Sequence, residues 1–318
     1  MKIDNHLVDL NLPPSERWKF LQNFSKEIDE LIGCYLADFK GEELIFQNIE
    51  FYKSTVVPES YQQEISCIAA MCSYSENEVL IANLYYDILK FFFGCTAFAF
   101  HNGKTMLHAR NLDWHTDNDL LSKHTCVFHF QKSGKTIFKT VGWPGFIGAL
   151  SGTKPGCFSV TLNAVLSQDS PEIAYPISFL LRDVLAEAEN FTEARTTLEQ
   201  TTIASDCLLL LTGINANEAV VIERTPKRFA TRMDNDIIVV TNDYKVLENE
   251  NIGEENVLQA TSCSRFDRTK YLISNMLPNS KEVCIDLLRD AEVMMGITVQ
   301  QMVFDNQTGE ILIIKTKS

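Results

Sequence analysis

The run FFFGCTAFAFHNGKTMLHARNLDW brings a thiol, Cys95, within twenty positions of a guanidinium, Arg110, and a carboxylate, Asp113. Such a set suits nucleophilic acyl transfer. A thiol of ordinary pKa, about 8.5, is mostly protonated near neutrality, and a neighbouring cation stabilises its thiolate. Arg110 supplies that cation. A general base is missing, because none of the six histidines can be tied to Cys95 from the sequence. Cutting the Gly94–Cys95 bond would provide one. The freed α-amine, with a pKa of about 7.7 to 8.0, is a base carried by the nucleophile itself. Gly94 leaves the carbonyl ahead of Cys95 sterically open to the thiol, and Asp113 would hold the ammonium form by a charge-assisted hydrogen bond.

By residue type alone, each group has a blander role. A cysteine is a small buried hydrophobe roughly ten times as often as it is a nucleophile. An Arg/Asp pair is more often a structural salt bridge. The chain between them adds position: the apolar runs CTAFAF and TMLHAR flank the turn HNGK, as two hairpin strands do. An antiparallel return from a tip near residues 102–104 brings Arg110 and Asp113 back towards Cys95.

The elements around this hairpin follow from periodicity. The first ninety residues read as mainly helical. Ser15 can cap a run with Trp18, Leu21, Phe24, Ile28, Leu31 and Ile32 on one face. A second helix starts at the Ser75/Glu78 capping box and continues through VLIANLYYDILKFFF until Gly94 stops it. Strands are expected at TCVFHF and TIFKTV, joined by KSGK, then at GFIGAL and CFSVTLNA. Helices return over 175–190 and 192–200. Strands follow at CLLLLT, AVVIER, RFATRM and DIIVVT, then helices near 264–276 and 281–295, and a closing pair, VQQMVF and EILIIK. This order suits two stacked antiparallel sheets between helical layers.

Composition narrows the partners. The 318 residues are 45% hydrophobic and 22% charged, enough for one large or two small domains around a sizeable core. A net charge of −14 has the wrong sign for gripping a phosphate backbone, so nucleic acid is not an expected partner. Nine cysteines, without a CxxC pair, point to reduced thiols in a cytoplasm-like compartment. No signal-peptide run follows Lys2, and the apolar stretch 79–93 is interrupted by Asp87 and Lys90 and too short to cross a bilayer. The chain is therefore expected to be cytoplasmic. The GKT triplets at 103–105 and 134–136 carry Phe98 and His129 where a phosphate loop needs glycine, and are read as hairpin turns. His115, Asp117 and Asp119 lack the glycine and distal glutamate of a calcium loop. No cofactor and no metal ion is expected.

The motif from Cys95-Thr96 to Ala109-Arg110-Asn111-Leu112-Asp113-Trp114 resembles the start of the catalytic subunit in the acid ceramidase and N-acylethanolamine acid amidase family. There, Cys-Thr-Ser leads to Gly-Arg-Asn-Leu/Met-Asp-aromatic. The segment LNLPPSERW, residues 10–18, resembles the opening of that family's pro-subunit. FHFQKSGKTIFKTVGWPGFIGALSGTKPGCFSVTLNA is similar to its β-rich core, and AVVIER with VVTNDY to its later strands. The family falls in the choloylglycine hydrolase group, with bile-salt hydrolases and penicillin V acylases.

The resemblance implies an α+β fold: a four-layer αββα N-terminal-nucleophile (Ntn) hydrolase sandwich of two antiparallel sheets, preceded by a helical pro-segment. It implies self-cleavage into a pro-segment, 1–94, and a catalytic domain, 95–318, and hydrolysis of N-acyl amides. Cys95 would be the nucleophile and Arg110 and Asp113 its partners, with Asn163 and Asn242 as oxyanion and amine contacts. Two positions fit the late arginine. Ser264-Arg265-Phe266 matches the bile-salt-hydrolase pattern at Arg265, whereas the ceramidase pattern Asp-Asp-Arg-Arg-Thr aligns its second arginine with Arg268. Arg265 is preferred. Ala164-Val165 stands where the ceramidases carry Glu-Arg, the following lid region is shorter, and the family's disulfide cysteines are missing, all of which weighs against ceramide itself. The expected substrate is a lipid-like N-acyl amide, cleaved through an acyl-enzyme at Cys95. Its own cleaved pro-segment and a transient lipid surface are the other expected contacts. The alternatives are the same machinery acting on bile-salt or penicillin amides or transferring the acyl group, and an uncut binding protein that never frees Cys95.

Overall fold

The computed structural model of the chain describes residues 3–89, 93–234, 237–248 and 257–316. Its first element is a strand, β1 (Asp4–Asp9), which the mainly helical reading of the first ninety residues did not include. β1 buries only Val8, so the two-residue alternation that marks a strand is missing from its sequence. Helices follow: α1 (Ser25–Ala37), α2 (Glu43–Val56), α3 (Glu59–Ala69), α4 (Glu76–Asn83) and α5 (Tyr85–Ile88). The run expected from Ser15 instead makes 3-10 turns at Pro14–Glu16 and Lys19–Phe24 before α1 begins. Between those turns Trp18 is pinned, its indole donating to Glu64 on α3 at 2.7 Å.

The Ser75/Glu78 capping box forms with both reciprocal bonds. The helix it starts ends at Asn83, not at Gly94. The Asn83 side chain donates to Gly145 O and accepts from Ile147 N–H, tying the helix end to another segment. Lys90 to Phe92 of the expected helix lie outside the described residues, and Gly94 belongs to the strand of Cys95.

That strand, β2 (Phe93–His101), pairs antiparallel with β3 (Met106–Trp114), setting Gly94 opposite Asp113 and Cys95 opposite Leu112. At the tip, Asn102 Oδ1 accepts from the N–H groups of Lys104 and Thr105, and Gly103 adopts the φ of 87° that the turn demands. α6 (Leu120–His124) leads into a second hairpin, β4 (Cys126–Lys132) and β5 (Lys135–Gly142), turning at Ser133 and Gly134. Both GKT triplets thus begin at hairpin tips. The strand expected over 145–150 is absent: Gly145 takes a φ of 87°, and β6 (Ser151–Lys154) begins only afterwards. The rest of the chain supplies β7 (Phe158–Asn163), α7 (Ile177–Glu187), α8 (Phe191–Gln200), β8 (Cys207–Thr212), β9 (Ala219–Arg224), β10 (Phe229–Arg232) and β11 (Ile237–Val240). α9 (Val257–Met276), α10 (Lys281–Leu288), β12 (Thr298–Asp305) and β13 (Glu310–Lys315) complete it. Asp236, expected to open β11, lies outside the described residues.

Among the described residues one sheet runs β1-β4-β5-β6-β7-β8-β9-β10 and the other β11-β2-β3-β12-β13. Their strands pair antiparallel except β1 with β4. The sheets face each other, since His108 and Arg110 of β3 reach across to Thr161, Ser151 and Leu162 O. α9 and α10 bury Ile273, Ile285 and Leu288 on Phe98, Ala109 and Val303, on the outer face of the second sheet. α7 and α8 cover the first sheet. At that contact a Cβ on Gly152 would lie 2.9 Å from the backbone oxygen of Lys139 on β5 as well as 2.4 Å from Leu185 Cδ1 of α7, and the fixed backbone oxygen is what demands glycine. The result is the αββα sandwich that the resemblance implies. No helix among the described residues is long and apolar enough to cross a membrane.

The N-terminal helices are not a separate body. Glu64 of α3 is buried at the seam with α7, where it accepts from Arg182 Nη2 at 2.8 Å, from Arg17 at 3.0 Å and from Trp18. The Arg182 guanidinium also lies 4.9 Å from the Tyr61 ring and 5.0 Å from that of Phe130. Burial opposes a charge on Glu64, but Arg182 and the hydrogen bonds together hold its carboxyl below the usual range. Arg182→Met would leave that charge with the partly exposed Arg17 as its cationic partner, and urea unfolding is expected to show a loss of about 3 kcal/mol. The double variant Arg182→Met/Glu64→Leu should recover most of it, because the fully buried Glu64 charge goes with its partner.

Candidate active site

Cys95 is 1% exposed, enclosed between the two sheets. Arg110, which pairs with Ala97 across the hairpin, donates from Nη2 to Cys95 Sγ at 3.1 Å. The same guanidinium donates to Leu150 O, Ser151 Oγ and Leu162 O, so the facing sheet fixes it in place. Leu162 O also lies 3.8 Å from the thiol as its acceptor. Burial pushes the Cys95 thiol up, and the attraction of Arg110 only partly offsets it. The site as it stands thus favours the neutral thiol.

The backbone nitrogen of Cys95 is held as carefully as its sulfur. It donates to Asn242 Oδ1 at 3.2 Å. Asn242, just beyond β11, donates from Nδ2 to Ala164 O at 2.8 Å and from its backbone N–H to Ser262 Oγ at 2.9 Å. Arg265 of α9 donates to the same Oδ1 at 2.7 Å, to Cys95 O at 2.7 Å and to Thr96 Oγ1 at 2.9 Å. One amide oxygen thus receives both the Cys95 nitrogen and a guanidinium. Arg268, one helical turn on, faces outward and pairs with Asp290 at 2.6 Å. Packing places Arg265, and not Arg268, beside Cys95.

Asp113 stands opposite Gly94 and is fully buried. Its Oδ1 accepts from Thr298 Oγ1 at 2.5 Å, while Oδ2 has no hydrogen-bond partner among the described residues. Burial lifts its carboxyl above the usual range; Thr298, Arg265 and Arg110 pull the other way. Asn163, at the end of β7, donates from Nδ2 to Val240 O at 3.2 Å and to Thr241 O at 2.9 Å. Two carbonyls on one side dictate which way its amide faces, leaving Oδ1 as an acceptor without a donor. Asn163 and Asn242 therefore clamp the two sheets reciprocally, and in the uncut chain Asn163 has no amide hydrogen to offer an oxyanion. All six residues singled out in the sequence thus meet at one end of the hairpin.

Several supporting groups were not legible. Ser151, Ser262 and Thr298 are hydroxyls of the commonest kind, Thr96 stands in the motif without a role assigned to it, and the Leu162 carbonyl carries no sequence signal. His108, two residues before Arg110, is taken up by Thr212 at 3.0 Å and Thr161 at 2.8 Å. Burial, with Arg110 nearby, pushes it down to about 3, so it is a neutral tie between sheets and not a base. Among the described residues no group of three or more His, Cys, Asp or Glu side chains could hold a metal ion.

The family described as acyl-coenzyme A:6-aminopenicillanic acid acyl-transferase matches residues 100–315. Acid ceramidase of Balaenoptera acutorostrata scammoni is 28% identical over 254 residues, covering 69% of this chain and 62% of that protein. That of Mus musculus is 25% identical over 342 residues, covering 96% and 84%. The chain thus spans just under two thirds of the first of these relatives. A solved Caenorhabditis elegans N-acylethanolamine-hydrolyzing acid amidase ortholog superposes with a TM-score of 0.57 at 24% identity, over 68% of this chain and 94% of that one. The two share a fold.

The charge state of Asp113 can be read from stability. Because its carboxyl titrates higher in the folded chain than when unfolded, the folded state holds that proton longer. Stability is therefore lost as pH rises from the ordinary carboxylate range through the folded value. Asp113→Asn removes the buried charge. In a Cys95→Ala background it is expected to melt higher than its parent at pH 7, with the gap closing as the pH falls through that window. Equal gaps at both ends would contradict this account.

Proposed function

The chain belongs to the acyl-coenzyme A:6-aminopenicillanic acid acyl-transferase family, and from that premise we propose that it is a self-cleaving cysteine hydrolase of N-acyl amides with an apolar acyl group. One observation carries the reading: the Cys95 nitrogen is already seated on Asn242 Oδ1 while Arg110 donates to the sulfur. A merely structural cysteine needs neither. The site prepares a nitrogen that becomes useful only once it is an amine.

In the cut, Sγ adds to the Gly94 carbonyl carbon and the bond from that carbon to the Cys95 nitrogen breaks. The nitrogen leaves as an amine, taking up the thiol proton. Water then hydrolyses the thioester, giving a Gly94 carboxylate and a free thiol. In turnover the amine takes the thiol proton and the thiolate attacks the substrate carbonyl. Collapse of the tetrahedral oxyanion expels the substrate amine, which receives the proton from the Cys95 ammonium. Water releases the acid from the acyl-enzyme, with the same amine as base. Arg110 favours the thiolate, Asp113 the ammonium, and Arg265 keeps Asn242 turned towards the nitrogen. An amide hydrogen of Asn163 reaches the oxyanion by exchanging its bonds to Val240 and Thr241.

Ala164 and Val165, which follow Asn163, are buried, Val165 in a cluster with Leu208, Leu210 and Val240, so the segment beyond Asn163 is apolar. Relatives named for ceramidase and N-acylethanolamine-hydrolysing activity support the amide class. The fragments 1–94 and 95–318 stay together after the cut. β1 remains in the sheet, Glu64 on Arg182, Tyr61 on Asp183 at 2.6 Å, and Tyr86 on Asp206 O at 3.0 Å.

Intact mass under denaturing conditions should give these two fragments, native gel filtration one particle, and Cys95→Ala a single uncut chain. Asn242→Ala should turn over a fatty-acyl amide about a hundredfold more slowly, since it loosens the base. Profiling taurine, ethanolamine and sphingosine amides identifies the amine. A chain that stays whole and turns over no long-chain amide would sink the proposal.

A further inference from the structure

We propose that Thr298 is a positioning residue for Asp113: its hydroxyl is wired as a hydrogen-bond donor and keeps the carboxylate charged on the strand opposite the Gly94–Cys95 bond. The idea rests on the reading above, in which that charge receives the Cys95 ammonium.

A threonine hydroxyl can give or take a proton, and which it does decides the carboxyl beside it. Here one of its two lone pairs is taken, because the Met295 N–H donates to Thr298 Oγ1 at 3.0 Å, and a carboxylate oxygen beside it can only accept. The backbone is held as well: Thr298 N–H donates to Met295 O at 3.0 Å, and Thr298 O accepts from Thr316 Oγ1. The one remaining hydroxyl proton goes to Asp113 Oδ1. Both residues are fully buried, so no solvent competes for that bond.

A strand irregularity creates the contact. Gln300 pairs with Leu112, so a regular ladder would set Val299 opposite Asp113, but the register shifts between 298 and 300 and Thr298 takes that place. The shift exchanges a valine for a hydroxyl at the one position facing the carboxylate. The charged and titratable neighbours of Asp113 are Arg265 from α9, Arg110 on its own strand and the Cys95 thiol on β2. The two cations are fixed by their other bonds. Against burial, Thr298 is the neutral contribution that favours the charged form.

The first test does not depend on activity. In the uncut Cys95→Ala chain with 13C-labelled aspartate carboxyls, the Asp113 signal is assigned by its loss in Asp113→Asn and titrated by NMR. Thr298→Val should move its midpoint up and Thr298→Ser should leave it near the parent's. Thr298→Ala gives the same reading if the valine does not fold. An unmoved midpoint overturns the proposal whether or not the protein is an enzyme. The second test uses the chain with Cys95 intact, following self-cleavage and fatty-acyl amide turnover against pH. Thr298→Val should lose about tenfold on the acid limb while keeping its plateau at higher pH, with the serine variant restoring the limb. A uniform fall at every pH, with the limb unmoved, would mark Thr298 as structural only and overturn the idea. A parent that neither cuts nor turns over would remove the hydrolase reading and leave the NMR result to judge Thr298.

Discussion

The amide oxygen of Asn242 takes a hydrogen bond from the Cys95 backbone nitrogen at 3.2 Å and another from Arg265 at 2.7 Å. Everything else at this end of the molecule is arranged so that one atom can do both. The Asn242 amide hydrogen is committed to Ala164 O, which forbids the side chain from turning over, and Ser262 fixes its backbone. Arg265 needs a helix, α9, lying across the outer face of the sheet. Ala164 needs the opposite sheet to come within hydrogen-bond reach. The two-sheet architecture is therefore a requirement of this contact as much as a consequence of hydrophobic burial.

Putting ionisable groups in so dry a place is unfavourable to folding, and the neighbours show how the cost is contained. Cys95 and Asp113 are both driven towards their neutral forms by burial. Arg110 stays buried because carbonyls and a hydroxyl ring it. In a site closed to water each of these hydrogen bonds is stronger than in solvent, and each unpaired atom is more costly. The unpaired ones are two acceptors, Asp113 Oδ2 and Asn163 Oδ1, and one donor, Arg110 Nε. An ammonium group on Cys95 would bring donors where the uncut peptide has a single N–H.

The N-terminal ninety-four residues cannot be regarded as an appendage. They contribute an edge strand, the buried Glu64 and the ring of Trp18 to the same core as the sheets. A cut between Gly94 and Cys95 would change the connectivity without removing those contacts. The charged cluster at the seam fixes how the N-terminal helices meet α7, while aromatic packing of Trp18, Tyr61 and Phe130 around Arg182 keeps water out of it.

What the sequence by itself determined is what depends on neighbours along the chain. The Asn102–Gly103 turn, the apolar runs on either side of it and the Ser75 capping box are local, so the hairpin carrying Cys95, Arg110 and Asp113 could be read directly. The resemblance extended that to Asn163, Asn242 and a late arginine. Where long-range contacts decide, the pattern failed. β1 buries one side chain and looks like nothing in particular. Asn83 ends a helix because it bonds a loop more than sixty residues away, and the stretch 145–150 is apolar because it packs, not because it is a strand. Arg265 and Arg268 are three residues apart on one helix, indistinguishable by spacing, and only the direction each faces separates a site residue from a surface ion pair. Thr298 meets Asp113 through a register shift that no periodicity announces. Hydrogen bonds between distant segments are set by where the folded backbone puts donor and acceptor, and that geometry exists only once both sheets have closed.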